Sequence, residues 1–266
     1  MKVSKADIRY FRSLSQKKVR QAEQKFILEG WRALKEVINS SSKIETVAVL
    51  ARYLEDPDYA SILASLSERG ATVKELSEME LKQVADTVHA QGVLAVVHQK
   101  SQTFETTRLD NASLIIAADA VSDPGNLGTI IRSADWFAAD VILMGRGTVE
   151  LYNEKVVRST VGSIFHLPII EGADLPSLLP QLKKQGFSIF SLSGDGKQAY
   201  TDVKSSEQVV FVFGSEAHGI STEVRNVSDA VLRIPKYGRA ESLNVGVACG
   251  IVLSHWRSER EEKKGV

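Results

Sequence analysis

The chain has 266 residues, of which 43% are hydrophobic and 25% charged, and its formal net charge is zero. These values are typical of a globular protein with one large domain or two modest ones. The single cysteine, Cys249, excludes an internal disulfide and a cysteine-based metal site. No apolar run approaches the ~20 residues of a transmembrane helix, and the first residues lack a signal-peptide core. We therefore expect a soluble cytoplasmic protein with neither a membrane nor a metal partner.

Charge is distributed unevenly along this neutral chain. Residues 1–36 carry ten Lys or Arg and four acids, whereas residues 45–86 carry nine acids and four bases. A basic N-terminal arm is typical of local contact with phosphate groups. The alternative is a solvated helical surface, and charge alone favours this alternative.

The first hundred residues predict a small α/β domain. Hydrophobic periodicity predicts strands at 25–30, 44–50, 71–77 and 92–99, and helices at 31–40, 57–69 and 78–85. The following stretch, residues 101–112, is polar and has no apolar period. We therefore expect domain 1–100, a linker at 101–112, and a second domain at 113–266.

Residues 113–266 predict an α/β domain with a mainly parallel sheet. Short apolar runs predict strands at 113–119, 141–145, 167–172, 187–193, 208–216 and 230–235, with helical segments between most of them. Ligands of such sheets bind outside the carboxyl ends of the strands. The loops after Asp119, Ser193, Glu216 and Pro235 are therefore the expected site.

The first unusual segment near these strand ends is Asp123–Asp140. An Asp-Pro-Gly turn precedes a helix that we expect Asn126 to cap. Arg132 lies off the apolar stripe of this helix, so its side chain should point away from the core. That stripe consists of Leu127, Ile130, Ile131, Ala134, Phe137 and Ala138. A capped surface helix with a solvated arginine is the alternative interpretation.

The second segment, Phe211–Ser221, is a strand that ends in Gly-Ser-Glu and leads into a helix that Ser221 should cap. Glycines here allow positive φ or the close approach of a ligand to the backbone. The carboxylate of Glu216 stands at the strand end, where it could bind a donor or orient a cation. A tight turn with an exposed acid is the alternative.

The third segment, Ile234–Trp256, contains a helix that is apolar around its full circumference from 243 to 253. Such a helix must be buried within the domain or at a subunit interface. Gly246 and Gly250 allow another backbone to pack closely. In this apolar setting Ser242 and Asn244 need hydrogen-bond partners, which makes them structural or site residues. For Asn244 we favour the site.

Other catalytic and nucleotide-binding signatures are missing from the sequence. It contains neither a dinucleotide-binding glycine fingerprint nor a phosphate-binding P-loop. No Ser-His-Asp arrangement is evident, and no metal-ligand spacing connects the five histidines, which are His89, His98, His166, His218 and His255. The residues alone predict an α/β ligand-binding domain with a polar cluster, and they leave its reaction open.

Taken in order, the three segments resemble the three motifs of the SpoU (TrmH) family, in the SPOUT superfamily of RNA methyltransferases. Asn126–Arg132 resembles motif one, Gly214–Gly219 motif two, and Ile234–Ala248 motif three. Residues 26–38 and 89–97 are similar to the family's ribosomal-protein-like α/β substrate-binding domain. The motif-three loop departs from the family pattern because it is more basic, and motif two carries a histidine to which we assign no role.

The resemblance implies methyl transfer from S-adenosylmethionine to a ribose 2′-hydroxyl of ribosomal RNA or tRNA, with ribosomal RNA preferred. It also implies a homodimer and a C-terminal trefoil knot that holds the cofactor. The catalytic residues that it implies are Asn126, Arg132, Glu216, Ser242 and Asn244, with Arg132 activating or positioning the hydroxyl. The cofactor-binding residues that it implies are Leu192, Ser193, Gly194, Gly214, Ile234 and Leu243.

Two questions stay open at this level. Lys236 and Arg239, in the basic loop of motif three, either contact RNA phosphates or simply lie on the surface. The alternative to an enzyme is a non-catalytic RNA-binding protein built from the same two domains, in which the basic N-terminal arm holds the RNA.

Overall fold

The computed structural model describes residues 1–85, 90–203 and 207–264, so His89 lies outside the described residues. The chain forms two compact units. Unit 1 comprises Met1–Lys100 and Tyr152–His166, and unit 2 comprises Ser101–Leu151 and the chain from Leu167 onward. Within the described ranges, no helix is long and apolar enough to cross a lipid bilayer.

Unit 1 is built on a four-stranded sheet in the order β1-β4-β2-β3. Its strands are β1 (Lys25–Glu29), β2 (Ile44–Leu50), β3 (Thr72–Leu76) and β4 (Val93–His98). β4 runs antiparallel to β1 and β2, while β2 and β3 are parallel. The helices are α1 (Lys5–Ser13), α2 (Lys17–Glu23), α3 (Trp31–Ile38), α4 (Pro57–Glu68) and α5 (Glu78–Val84). The strands and helices predicted for residues 25–99 are confirmed, within one or two residues at each end.

Unit 2 contains a seven-stranded sheet in the order β7-β6-β5-β10-β8-β11-β9. Its strands are β5 (Leu114–Asp119), β6 (Val141–Gly145), β7 (Ile169–Ala173), β8 (Ser188–Leu192), β9 (Gln198–Ala199), β10 (Val209–Gly214) and β11 (Ala230–Arg233). Neighbouring strands pair in parallel throughout. The predicted parallel sheet is confirmed, and the two-residue strand β9 is an addition that the sequence did not predict.

The helices of this half of the chain are α6 (Pro124–Trp136), α7 (Glu154–Thr160), α8 (Leu175–Lys184), α9 (Thr222–Val227) and α10 (Val245–Lys264). α10 packs against α6, and a Cβ added to Gly246 would lie 2.7 Å from Thr129 Cγ2. At Gly250 the nearest atom, Ser133 Oγ, is 3.9 Å away, so only Gly246 is required for this packing. Residues 101–112, all of them described, form no helix or strand, and Phe104 and Leu109 pack on the core of unit 2.

The segment Tyr152–His166, which includes α7, lies between β6 and β7 in sequence but belongs to unit 1. The ring of Phe26 in β1 lies 4.7 Å from that of Tyr152 and 6.4 Å from that of Phe165. The Tyr152 hydroxyl accepts a hydrogen bond from the backbone N–H of Lys100 at 2.8 Å. These contacts make the segment part of the unit 1 core.

Candidate active site

The carboxyl ends of β5, β10, β8 and β11 lie side by side along one edge of the unit 2 sheet. The register pairs Asp119 with Gly214, the last residues of β5 and β10, and Phe213 with Leu192, the last residue of β8. Leu192 also pairs with Leu232 of β11, two residues before Ile234. The parallel arrangement thus places the three predicted motifs at one edge, where ligands of such sheets bind.

Helix α6 begins five residues after the end of β5. Asp123 is its N-cap residue, since Asp123 Oδ1 accepts the backbone N–H of Asn126 at 2.8 Å, and Pro124 occupies the first helical position. The prediction that Asn126 caps the helix is therefore wrong, because Asn126 lies within the first turn. Ala138, predicted on the apolar stripe, is exposed and lies beyond the end of the helix. The cap by Asp123 leaves the amide side chain of Asn126 available for other contacts.

Three side chains, one from each predicted motif, form a continuous hydrogen-bonded chain. Asn126 Nδ2 donates to Glu216 Oε1 at 2.8 Å, and Asn244 Nδ2 donates to Asn126 Oδ1 at 2.7 Å. Asn244 Oδ1 in turn accepts the N–H groups of Gly246 and Val247, at 2.9 and 3.2 Å, and so caps α10. The two amides therefore have fixed orientations, and the motifs are directly connected.

Glu216 is the anionic end of this chain. Its Oε2 accepts hydrogen bonds from Ser122 N at 3.1 Å and Ser122 Oγ at 3.2 Å, and its Oε1 accepts one from Asp123 N at 3.3 Å. Burial raises the pKa of Glu216, but the hydrogen bonds from Asn126 and from the backbone outweigh it, so the pKa is lowered overall. A carboxylate with four donors and a lowered pKa holds the loop in place and is a poor proton acceptor.

Arg132 and Ser242 lie outside this hydrogen-bonded chain. Both are exposed, and within the described part of the chain neither side chain forms a hydrogen bond or ion pair. Arg132 follows Asn126 on α6 by about 9 Å along the helix axis. Its guanidinium is therefore free to meet a ligand, and Glu216 does not orient it.

A second polar cluster holds the loop after β8. Arg225 of α9 donates to both carboxylate oxygens of Asp195, at 2.9 and 3.1 Å, and to Ser193 Oγ at 3.2 Å. The Arg225 hydrogen bonds and that of Ser193 lower the pKa of Asp195 to about 2. Arg233 donates to the carbonyls of Gly196 and Lys197, at 2.8 and 2.7 Å. Two arginines from different elements thus fix the loop at 193–197, which includes two of the predicted cofactor residues.

The residues that support these clusters were not predicted from the sequence. Ser122, Asp195, Arg225 and Arg233 lie outside the three motifs, and each acquires its partner only through the tertiary fold. Asp119 is a further example, because it is 8% exposed and its Oδ2 accepts the backbone N–H of Ser221 at 2.7 Å. An acid at the end of an otherwise apolar strand was the available signal for this residue.

A family model described as the SpoU rRNA Methylase family matches residues 113–254. The chain belongs to the SpoU methylase family. A second model, the MRM3-like substrate binding domain, matches residues 5–95 of this SpoU family member. Membership makes the chain an RNA methyltransferase with S-adenosylmethionine as its methyl donor.

Similar proteins span nearly the whole length of this SpoU methylase. The 23S rRNA (guanosine(2553)-2′-O)-methyltransferase RlmP of Bacillus subtilis is 32% identical over 250 residues, which cover 94% of this chain and 95% of the relative. The AdoMet-bound rRNA methyltransferase from Sinorhizobium meliloti has a TM-score of 0.87 at 29% identity, with 97% of each chain covered. AviRb from Streptomyces viridochromogenes, at 21% identity, shares the fold with a TM-score of 0.87 over 97% of this chain and 99% of its own.

The strand ends of this SpoU methylase fit the adenosine part of S-adenosylmethionine. Leu192 and Ile234 are half-buried and Leu243 is exposed, so apolar side chains remain accessible at this edge. Gly194 is exposed, and a Cβ added to it would have no neighbour within 4 Å. An apolar surface next to exposed backbone groups is the chemistry that an adenine ring requires. Within the described ranges, no group of three or more His, Cys, Asp or Glu could hold a metal ion.

Proposed function

We propose that this chain transfers a methyl group from S-adenosylmethionine to a ribose 2′-hydroxyl of ribosomal RNA. The observation that carries this proposal is the hydrogen-bonded chain Glu216–Asn126–Asn244, which connects the three motifs at the ligand-binding edge of the sheet. The names of the Bacillus and Sinorhizobium relatives, which match this chain over most of its length, favour ribosomal RNA over tRNA.

Arg132 is the residue that we place at the reacting hydroxyl. S-adenosylmethionine supplies a methyl group already activated on a sulfonium, so alignment and the loss of one proton dominate the reaction. Guanidinium groups stay protonated in proteins. Arg132 therefore donates a hydrogen bond to the 2′-oxygen and stabilises the negative charge that develops there as the hydroxyl proton passes to water. The oxygen forms its bond to the methyl carbon as the carbon–sulfur bond breaks, and S-adenosylhomocysteine is the leaving group. The absence of any internal partner for Arg132 among the described residues supports this role.

The other site residues position the substrates. Glu216 fixes the Asn126 amide, and Asn244 fixes it from the opposite side while capping α10. Ser242, two residues before Asn244, presents an exposed hydroxyl that hydrogen-bonds the ribose or the cofactor. The adenosine part is held by backbone and apolar groups of Leu192, Ser193, Gly194, Gly214, Ile234 and Leu243.

In this proposal the domain of residues 1–100 binds the RNA, and the domain of residues 113–266 catalyses the methyl transfer. Residues 101–112 link the two domains. The segment Tyr152–His166 contributes to the RNA-binding unit, because it packs there. The chain order supports a C-terminal trefoil knot: β10 lies between β5 and β8, and residues 234–244 lead from β11 back to the helix α10 that packs on α6. In this proposal the enzyme acts in the cytoplasm, because relatives that match it over most of its length are rRNA methyltransferases of bacteria.

We also propose that the enzyme is a homodimer through α6 and α10. The sequence predicts that α10 is buried either within the domain or at a subunit interface, and in the structure Cys249, Val252 and Leu253 are buried whereas Val247 is exposed. Trp136 at the end of α6, Leu243 just before α10 and Val247 in α10 are 82%, 49% and 48% exposed, respectively, and present apolar surface to solvent. A second copy of the chain would remove this surface from water.

Transfer of tritium from labelled S-adenosylmethionine to 23S rRNA tests the proposed activity. The label should be recovered in 2′-O-methylated nucleosides after digestion, and label on a base would refute the ribose assignment. Arg132→Ala should abolish transfer while calorimetry shows unchanged cofactor binding, and Arg146→Ala, at another exposed arginine of unit 2, is the matched control. Normal RNA binding without cofactor binding would instead support the non-catalytic alternative.

A further inference from the structure

Helices α1 and α2 present a cluster of cations on the surface of unit 1. Lys5, Arg9 and Arg12 are exposed and follow one another at helical spacing, so they lie along one face of α1, while Ile8 and Phe11 on the other face are buried. Arg9 and Arg12 line an open groove together with Ser13, Ser15 and Gln16. Lys17 and Lys18, both exposed, follow at the start of α2. We call this surface the basic groove.

The acids closest in sequence do not neutralise the basic groove. Asp7 pairs with Lys74 at 2.7 Å, and Glu23 lies 3.7 Å from Lys25, whose ammonium binds Glu45 at 2.6 Å. Across the described residues, none of the five groove cations forms an ion pair or a side-chain hydrogen bond. The groove therefore keeps its full positive charge.

A buried arginine holds the floor of the basic groove in place. Arg20 is 3% exposed, and its Nη1 donates to the carbonyls of Leu14 and Ser15, at 3.0 and 2.5 Å. The Ser13 and Ser15 hydroxyls are also satisfied, by the carbonyls of Tyr10 and Arg12 at 2.7 Å each. The turn between α1 and α2 is thus ordered before any ligand arrives, which lowers the entropic cost of binding.

We propose that the basic groove binds the phosphodiester backbone of the RNA substrate. This proposal rests on the proposed function. Guanidinium forks match phosphate oxygens, and the exposed lysines of the same two helices add point charges. A membrane surface is disfavoured, because interfacial helices need exposed large apolar side chains, and those of α1 are buried among its described residues. Contacts of this kind position the RNA without reading its sequence.

The salt dependence of RNA binding tests this assignment with the full-length chain. Each phosphate contact to single-stranded RNA contributes about 0.7 to the slope of log K against log salt concentration. Arg9→Gln/Arg12→Gln should therefore reduce this slope by about 1.4 for a mixed-sequence RNA oligonucleotide, measured by filter binding between about 50 and 200 mM KCl. Lys183→Gln/Lys184→Gln at the end of α8 in unit 2 removes the same charge outside the RNA-binding domain and should leave the slope unchanged.

The controls separate this proposal from the enzyme function. Retained calorimetric binding of S-adenosylmethionine shows that unit 2 of each variant is folded, and an unchanged urea unfolding transition shows that unit 1 is folded as well. The groove is refuted if wild-type protein methylates RNA but its groove variant keeps the wild-type slope, or if both variants change the slope equally. Loss of binding to phosphatidylglycerol vesicles with unchanged RNA binding would also overturn it. A wild-type chain that neither binds nor methylates RNA would refute the proposed function itself.

Discussion

Replacement of Asn126 by aspartate tests the hydrogen-bonded chain at the centre of the site. Asn126 Nδ2 donates to Glu216 Oε1 at 2.8 Å, so Asn126→Asp places a second carboxylate oxygen at about this distance. Two unit charges so close repel by about 1.5 kcal/mol in water and by about 6 kcal/mol at an effective dielectric constant near 20. Because Glu216 is exposed, the lower part of this range applies, about 1.5 to 3 kcal/mol.

This repulsion raises the pKa of the introduced carboxyl above its ordinary value. When protonated, the new group can donate to Glu216 and accept from Asn244 as the wild-type amide does. The working form therefore exists below the raised pKa and is lost as pH rises through it. Since about 1.5 to 3 kcal/mol corresponds to one or two pH units, the ratio of variant to wild-type activity should be low at about pH 8 and several-fold higher at about pH 5.

Single-turnover transfer of tritium to 23S rRNA measures this ratio, with wild-type protein assayed at each pH. Asn126→Ala is the matched control, because it removes the donor without adding a charge, and its ratio should stay low at both pH values. An equal ratio for Asn126→Asp at the two pH values would refute the reasoning, since Glu216 would then not respond to the side chain at this position.

Three further predictions concern the loop, the interface and the helix packing. Arg225→Ala should raise the Kd for S-adenosylmethionine about five-fold, which is equivalent to about 1 kcal/mol for a solvent-exposed pair. Calorimetry measures this Kd, and Arg225→Lys should give a value between those of the wild type and Arg225→Ala. An unchanged Kd would exclude the loop from cofactor binding. Val247→Glu should convert the dimer to a monomer in analytical ultracentrifugation, and a monomeric wild type would contradict the interface. Gly246→Ala should lower the free energy of unfolding by about 1 kcal/mol, because the added methyl group would contact Thr129. Gly250→Ala should raise it by about 0.5 to 1 kcal/mol, because alanine favours the helix more than glycine does. Urea unfolding measures both values, and equal changes would refute this packing argument.

The elements of the sheets could be predicted because their signal is local. β5, β6 and β10 are continuous apolar runs, and such runs are typical of strands buried in a parallel sheet. The start of α6 could not be predicted in the same way, because Asp-Pro-Gly suits a turn as well as an N-cap followed by Pro at the first helical position. The structure decides between them through the 2.8 Å bond from Asn126 N to Asp123 Oδ1.

The candidate site was predicted unevenly for a similar reason. Asn244 could be singled out because a polar side chain next to an apolar helix needs a partner, and it has one in Asn126. That Ser122 would donate twice to Glu216 depends on the tertiary placement of two loops, 94 residues apart in sequence. The support of the 193–197 loop by Arg225 and Arg233 depends on strand order, which periodicity does not determine.

Because the segment Tyr152–His166 belongs to unit 1, it limits how early unit 1 can fold during synthesis and which fragments of the protein can fold alone. A ribosome releases the chain in order, so the ring of Phe26 cannot meet those of Tyr152 and Phe165 until more than half of the residues have been made. The N-terminal unit therefore completes its core only after β5, α6 and β6 have emerged. A fragment that stops at residue 100 would leave Phe26 without these aromatic partners.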